Sequence, residues 1–308
     1  MRNSNIPALL CALAALAVTA GLPSAQEQPG GLLLRDWRPV SRLVTKEARV
    51  LKPRFPVIDL HNHLGRLDAA ALKKALAQMD SAGVRACVSL DGLSRNDIWR
   101  THLAALKAIS SDRFIMFFSP DFSRIDEPDL GAKEAFRLEE AVKAGARGLK
   151  IFKTLGLTVR DKSGKLVPVD DPRIDPIWAK CGELRIPVMI HVTDPVAFFT
   201  PLDRFNERYD ELIAHPDWLF YGPGFPKKDD ILAARNRVIA HHPKTNFVGA
   251  HVGNLPEDLA TVAKWLDAYP NFSVDIDARI SELGRQPYTA RRFFITYKKW
   301  CLEKPPQN

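Results

Sequence analysis

From residue 55 onward the chain alternates two patterns. Short runs are almost continuously apolar, and the longer segments between them carry apolar residues every three or four positions. The short runs FPVIDLHNH, RACVSL, RFIMFFSPD, RGLKIFK, IPVMIHV, TNFVGAHV and NFSVDID read as strands, and their continuous apolarity suits strands covered on both faces. DAAALKKALAQMDSAG, NDIWRTHLAALKAIS, GAKEAFRLEEAVKAG, DPIWAKCGELR, DDILAARNRVIAHH and PEDLATVAKWLDAY read as helices. The first and third close on Gly83 and Gly145, and Trp99, Leu103, Leu106 and Ile109 share one side of the second. PYTARRFFITYKKW reads as the last helix.

Strands alternating with helices imply a parallel sheet covered by helices. About seven such units favour an α/β fold of the TIM-type (β/α) barrel kind over residues 55–308, and the absence of a glycine-rich loop after the first strand argues against a dinucleotide-binding sheet. Two inserts break the rhythm. Residues 154–172 read as a small hairpin turning at Ser163-Gly164, and residues 193–228 hold Phe198, Phe199, Phe205, Tyr209, Trp218, Phe220 and Tyr221. Both follow strands, on the side where a barrel carries its active site.

The N-terminal end is a different polymer. Arg2, a short apolar run and small residues near Ala20 and Ala25 read as a signal peptide over 1–25, followed by a linker over 26–54. The expectation is an exported chain, periplasmic or secreted, with no stable membrane insertion once the leader is removed, because the run is short for a span. Cys11 falls in the leader; Cys87, Cys181 and Cys301 are far apart in apolar or amphipathic settings and read as packing residues. The net charge of +8 is scattered among 36 acids without a basic, aromatic-laced run, which argues against nucleic acid as a partner and leaves an anionic small molecule open.

The chemistry lies in the strand ends. The first ends in His61 and His63, the fourth carries Lys150 and Lys153, the fifth ends in His191, the sixth in His251, and the seventh carries Asp275 and Asp277. A barrel gathers these ends on one rim. Side chains two apart on a strand face the same way, so His61 and His63 can share one ion, with His191 as a third nitrogen. Such a set suits zinc, with manganese or iron as alternatives. Asp59 has the parity of the two histidines and reads as their hydrogen-bond support. His102, His215, His241 and His242 fall away from these ends and receive no role.

The ordered set DLHNH at 59–63, His191 in PVMIHVTDP and His251 in FVGAHVGN resembles the amidohydrolase superfamily, in its amidohydrolase-related branch of metal-dependent hydrolases and decarboxylases of the aminocarboxymuconate-semialdehyde type. The resemblance implies a distorted β/α barrel and one divalent ion. It implies metal ligation by His61, His63 and His191, and an acid/base or polarising role for His251. Lys150, or Lys153 in its place, matches the fourth-strand lysine that bridges two metals in some members. That family also places a metal-binding aspartate at the end of an eighth strand. Nothing after Arg292 reads as strand–turn–aspartate, so by this count the eighth unit is lacking, and Asp275, with Asp277 on the same parity, is the substitute on the seventh strand.

The reading that follows is a metal-dependent hydrolase acting through activated water on an amide, ester or lactone carbonyl, on a small anionic or aromatic substrate. Arg66 and Arg279 are candidate anchors for a substrate carboxylate. The alternatives are a non-oxidative decarboxylase of the same superfamily, or an inactive barrel that only binds metal or ligand. Oligomeric state is not legible.

Overall fold

A computed structural model describes residues 32–40, 42, 53 and 55–293. The expected leader over 1–25, most of the expected linker, Cys301 and the residues after 293 lie outside the described residues. By its internal contacts the chain divides into a unit at Met1–Val50 and one at Leu51–Asn308. The described part of the first unit contains a single helical turn at Leu34–Asp36.

The second unit is built on seven parallel strands, β1 (Val57–Asn62), β2 (Val84–Leu93), β3 (Phe114–Ser119), β4 (Gly148–Ile151), β5 (Val188–Ile190), β6 (Phe247–Gly249) and β7 (Phe272–Val274). They pair in sequence order, β1 through β7. Six helices pack between them: α1 (Ala69–Ala82), α2 (Ile98–Ile109), α3 (Leu130–Ala144), α4 (Asp175–Leu184), α5 (Lys228–His241) and α6 (Leu259–Ala268). In a flat sheet the outer strands would stand about 29 Å apart, six spacings of about 4.8 Å. Instead His61 on β1 touches Asp275 just after β7 at 2.7 Å. The sheet is therefore curled as a barrel wall, with β1 and β7 facing each other and, among the described residues, not paired to a further strand.

Both faces of the sheet are buried, which explains the unbroken apolar runs. Cys87, Phe114, Phe118, Leu149, Val188, Ile190 and Phe247 pack outward against Trp99, Leu106, Leu138 and Trp178 of the helices. Val88, Leu90, Phe117, Met189 and Ala250 form a second, inner cluster. Each of the Val, Leu, Ile, Phe and Met side chains contributes about 1.5–3 kcal/mol when fully buried. α1 shows how the ends are set: the Asp68 carboxylate accepts the Ala71 N–H, and Gly83 closes the helix at φ +73°, a conformation free of side-chain strain only for glycine.

β1 departs from the pattern. Val57, Ile58 and Leu60 are exposed, because β1 has β2 as its one strand partner among the described residues. Its pairing also slips twice, between Val57 and Ile58 and between Asp59 and Asn62. The last helix begins at residue 287 and is described to residue 293. No helix among the described residues is long and apolar enough to cross a membrane. Cys87 and Cys181 are buried free thiols; burial pushes Cys87 up to about 12 and Cys181 further, so both are inert packing groups.

Candidate functional site

The strand ends deliver one polar cluster. His61, the fifth residue of β1, is buried, and its Nδ1–H donates to Asp275 Oδ2 at 2.7 Å. That bond fixes the tautomer and leaves Nε2 as the unprotonated nitrogen, with Lys150 Nζ 3.5 Å away. The same carboxylate accepts the backbone N–H of His251 through Oδ1 at 2.6 Å and that of Asp277 at 3.2 Å. Burial raises the Asp275 pKa, but the bonds from His61 and from the His251 N–H outweigh it, so the group is held below the usual carboxylate range.

His251 is presented by an unusual piece of backbone. His251, Val252, Gly253 and Asn254 all have φ between 55° and 65°, a left-handed turn directly after β6. That conformation is costly for a β-branched residue such as Val252 and is found where function needs it. It is held from several sides. The Asp275 carbonyl accepts the Val252 N–H at 2.8 Å, Asn254 Oδ1 accepts the Val192 N–H at 3.1 Å, and the Arg235 guanidinium donates to the Gly253 carbonyl. His251 Nδ1 donates to the Asp277 carbonyl at 2.9 Å, again leaving Nε2 bare. Its ring stacks on His61 at 4.7 Å and meets His191 edge-on at 4.6 Å.

His191 follows β5 and is largely buried, with its side chain 13% exposed. Its Nε2 has no hydrogen-bond partner among the described residues, the nearest acceptor being Asp194 Oδ1 at 3.6 Å. Burial drives His191 down to about 3 and His251 to about 4, so both rings are neutral near pH 7. Asp194 itself is held far below the usual range. Its burial acts the other way, but His191 and the Lys153 ammonium prevail.

The structure separates the two histidines of the first strand. His63 lies one residue past the end of β1, and its Nδ1 turns to Asp91 on β2 at 2.7 Å, leaving the side chain 52% exposed. The register slip between Asp59 and Asn62 and the pull of Asp91 account for the difference from a simple two-residue alternation. His61 and His63 rings remain 5.9 Å apart. The groups whose donor atoms all lie within 4.8 Å of one another are His61, His251 and Asp277, not His61, His63 and His191.

Lys150 is completely buried on β4 with Nζ 3.5 Å from His61 Nε2. Burial lowers it to about 8, against the pull of Asp275, Asp91 and Asp277. Lys153 pairs with Asp194 and lies 5.2 Å above the Phe220 ring of the second insert. Arg279 is nearly buried, with its Nε unpartnered among the described residues and NH1 on the Ala278 carbonyl at 2.9 Å; Arg66 is exposed beyond His63. Asp59 accepts the His61 N–H at 3.3 Å. The four histidines without an assigned role have ordinary partners: Ser89 for His102, Trp218 for His215, the Arg237 carbonyl for His241 and Asp175 for His242.

Sequence reasoning missed Asp91, Asp194 and Lys228. Asp91 stands one residue beyond the apolar run RACVSL, and strand-end position was the signal that could have found it. Asp194 follows His191 by three positions in the same PVMIHVTDP stretch. Lys228 reads as a solvent-facing lysine, yet it is buried.

The donor set fits a divalent ion. His61, His63 and His251 each have Nδ1 anchored to an oxygen, which turns Nε2 outward as supporting carboxylates and carbonyls do for metal-binding histidines; of the three, His61 Nε2 has a long contact, 3.5 Å from Lys150 Nζ. A buried, unpartnered His191 Nε2 beside them is the further mark of a missing partner.

Comparison with known proteins adds the family. No curated protein matches the chain. Among solved structures, the chain resembles an uncharacterized TIM-barrel protein, Bb4693, from Bordetella bronchiseptica (17% identity, TM-score 0.47, 72% of this chain and 75% of that one). It also resembles an amidohydrolase from Burkholderia multivorans with bound zinc (16%, 0.48, 79% and 81%). A third is the 2,6-dihydroxybenzoate decarboxylase from Rhizobium (16%, 0.44, 78% and 84%). The family described as Amidohydrolase matches residues 58–302, which takes in β1 from its second residue, the other six strands and the whole polar cluster, and the chain belongs to the amidohydrolase family.

Proposed function

We propose that the chain is a metal-dependent hydrolase of small molecules bearing an amide, ester or lactone. The observation that carries this reading is the convergence of His61, His251 and Asp277 within 4.8 Å at the ends of β1, β6 and β7. These three residues would hold one divalent ion, zinc by the nitrogen-rich donor set, with His191 and His63 beside them. Bound there, such an ion supplies a Lewis acid and a water acidified towards neutral pH.

The protein's own groups divide the remaining work. Both oxygens of Asp275 are engaged, so its part is to position His61 and His251. Asp277 is 44% exposed, with Oδ2 3.7–3.8 Å from Nδ1 of both rings, and is the carboxylate able to take a proton from water and return it to the leaving group. This gives Asp277 the proton transfer expected from sequence of His251 or Asp275, and makes His251 a ligand in place of an acid/base residue. The Lys150 ammonium, close to His61, is a buried donor for negative charge developing on a carbonyl oxygen. An available base favours water attack over decarboxylation, which instead calls for a proton donor at carbon.

The test is elemental analysis of the purified chain beside His61→Ala and Asp277→Asn, followed by a panel of esters, lactones, amides and aromatic acids. About one equivalent of metal, lost in the variants, with hydrolysis of a carbonyl substrate, supports the reading. A folded chain without metal overturns it, and CO₂ release without hydrolysis moves the chain to the decarboxylase alternative. In the same reading the leader over 1–25 makes the mature chain an exported protein, which N-terminal sequencing of the chain from its host checks.

A further inference from the structure

We infer that the pocket under the 193–228 insert binds the carboxylate of an aromatic or alkyl acid, with the Lys228 ammonium as its anion contact. The site stands on geometry; only its last step, that this carboxylate is the anionic end of the substrate, rests on the hydrolase reading.

The pocket has a volume of about 470 Å³ and is walled by Phe199, Phe220, Tyr221, Phe225 and Leu255, with Lys228 among its lining residues. Tyr221, Phe225 and Val196 are exposed around it, an apolar mouth that water alone leaves poorly covered. Lys228 is only 7% exposed, and its Nζ lies 5.9 Å from the Phe199 ring centre. An ammonium has three N–H donors, and the one hydrogen bond of Lys228 goes to the Asp194 carbonyl at 2.5 Å. It makes no ion pair among the described residues: Glu257 and Asp194 attract it from farther off, and Arg279 and Arg235 repel it. Glu257 is the strongest of these attractions; its Oε1 accepts the Val196 N–H at 2.8 Å, while its buried Oε2 makes no hydrogen bond among the described residues and no ion pair with Lys228. Buried charges are normally paired, so an unpaired buried ammonium facing an aromatic pocket points to an anion that the protein does not supply.

The backbone argues the same way. Lys228 is the first residue of α5, preceded by Lys227, at the helix end where the dipole disfavours cations and favours anions. Asp229 and Asp230 in the same turn are both exposed and face water, so they balance the charge of the two lysines without pairing with the buried Lys228. The aromatic walls suit a ring or alkyl chain, and two spare ammonium donors suit a carboxylate.

The position ties the pocket to the reacting centre. The carbonyl of Asp194 holds Lys228, while its carboxylate pairs with Lys153 and lies 3.6 Å from His191 Nε2. A ligand carboxylate on Lys228 therefore stands one residue away from a buried imidazole of the site.

Benzoate is the probe, with benzamide as its neutral counterpart, titrated calorimetrically into metal-free and metal-loaded full-length chain. Benzoate binding is expected in both forms, weakened at least about tenfold by Lys228→Met and retained within about threefold by Lys228→Arg, with benzamide unaffected by either. Equal benzoate binding by the wild type and Lys228→Met, or no binding at all, overturns the site. A variant that shifts only the unfolding midpoint would show Lys228 to be a tether for the insert and overturn it equally. Because the titration needs no turnover, its outcome is separate from that of the hydrolase reading. Where an ester is turned over, benzoate should inhibit competitively; non-competitive inhibition would detach the pocket from the substrate while leaving the anion site standing.

Discussion

Asp275 binds His61 across the gap between the first and seventh strands, Oδ2 to Nδ1 at 2.7 Å, although the two residues are 214 positions apart. With its other oxygen on the His251 N–H, one carboxylate fixes the bearing of two imidazoles. Asp275→Ala should therefore lower metal affinity about 10–100-fold, the usual cost of losing a group that orients a ligand. Competition with a chelator measures this, and unchanged affinity would remove Asp275 from the support of the site.

Lys153 and Asp194 form a second support. Lys153→Met leaves the nearly buried Asp194 carboxylate without its ammonium partner, and a loss of about 1–3 kcal/mol in stability is expected, the range for stranding a buried acceptor. Lys153→Arg should recover most of it. Denaturant unfolding of the three proteins decides the matter, and equal midpoints would show that the pair contributes nothing.

The pair formed by His63 and Asp91 is of another kind. His63 is half-exposed, so Asp91→Asn should change stability by less than about 1 kcal/mol. Its effect should appear instead in the ring: Nδ1 loses its carboxylate, and the tautomer populations seen by nitrogen NMR should shift towards a mixture. A ring locked in one tautomer in the variant would contradict this.

Acid should destabilise the metal-free chain earlier than carboxylate titration alone would. Burial holds His191 at about 3 and His251 at about 4, and lowers His102, whereas each titrates near 6.5 when unfolded. Below about pH 6.5 the unfolded chain binds protons that the folded chain refuses, so stability is complete above that pH and falls as pH drops towards the folded values. Each such histidine contributes up to about 1.4 kcal/mol per pH unit. Urea midpoints that stay level from about pH 7 to about pH 5 would show that these rings protonate freely in the folded state.

The strands were legible because burial on both faces writes an unbroken apolar run, as in FIMFFS of β3 and VMI of β5. β1 reads the same way, yet its exposed Val57 and Ile58 show that an apolar run does not reveal whether anything covers it. Seven of the site's polar groups, His61, Lys150, Lys153, His191, His251, Asp275 and Asp277, were legible from their places at strand ends. The finer arrangement was not. Alternation along a strand says nothing about His63 once the strand has ended, nor about the Asp91 that draws it aside. Lys228 was invisible because a lysine at a helix start ordinarily faces water, and only the packing of the second insert buries it.

The left-handed turn after β6 carries a consequence for how such a protein can evolve. The aim of His251 depends on four residues held in a conformation that three of them adopt only at a cost. The hold comes in part from Arg235 on α5, wedged without exposure between the Trp265 and Phe272 rings. None of these three residues belongs to the metal-binding cluster, yet a change in any one alters the footing of the turn. Sequence drift at 235, 265 and 272 is thus bound together, so that two helices and the start of β7 are free to diverge only along paths on which the three change in step.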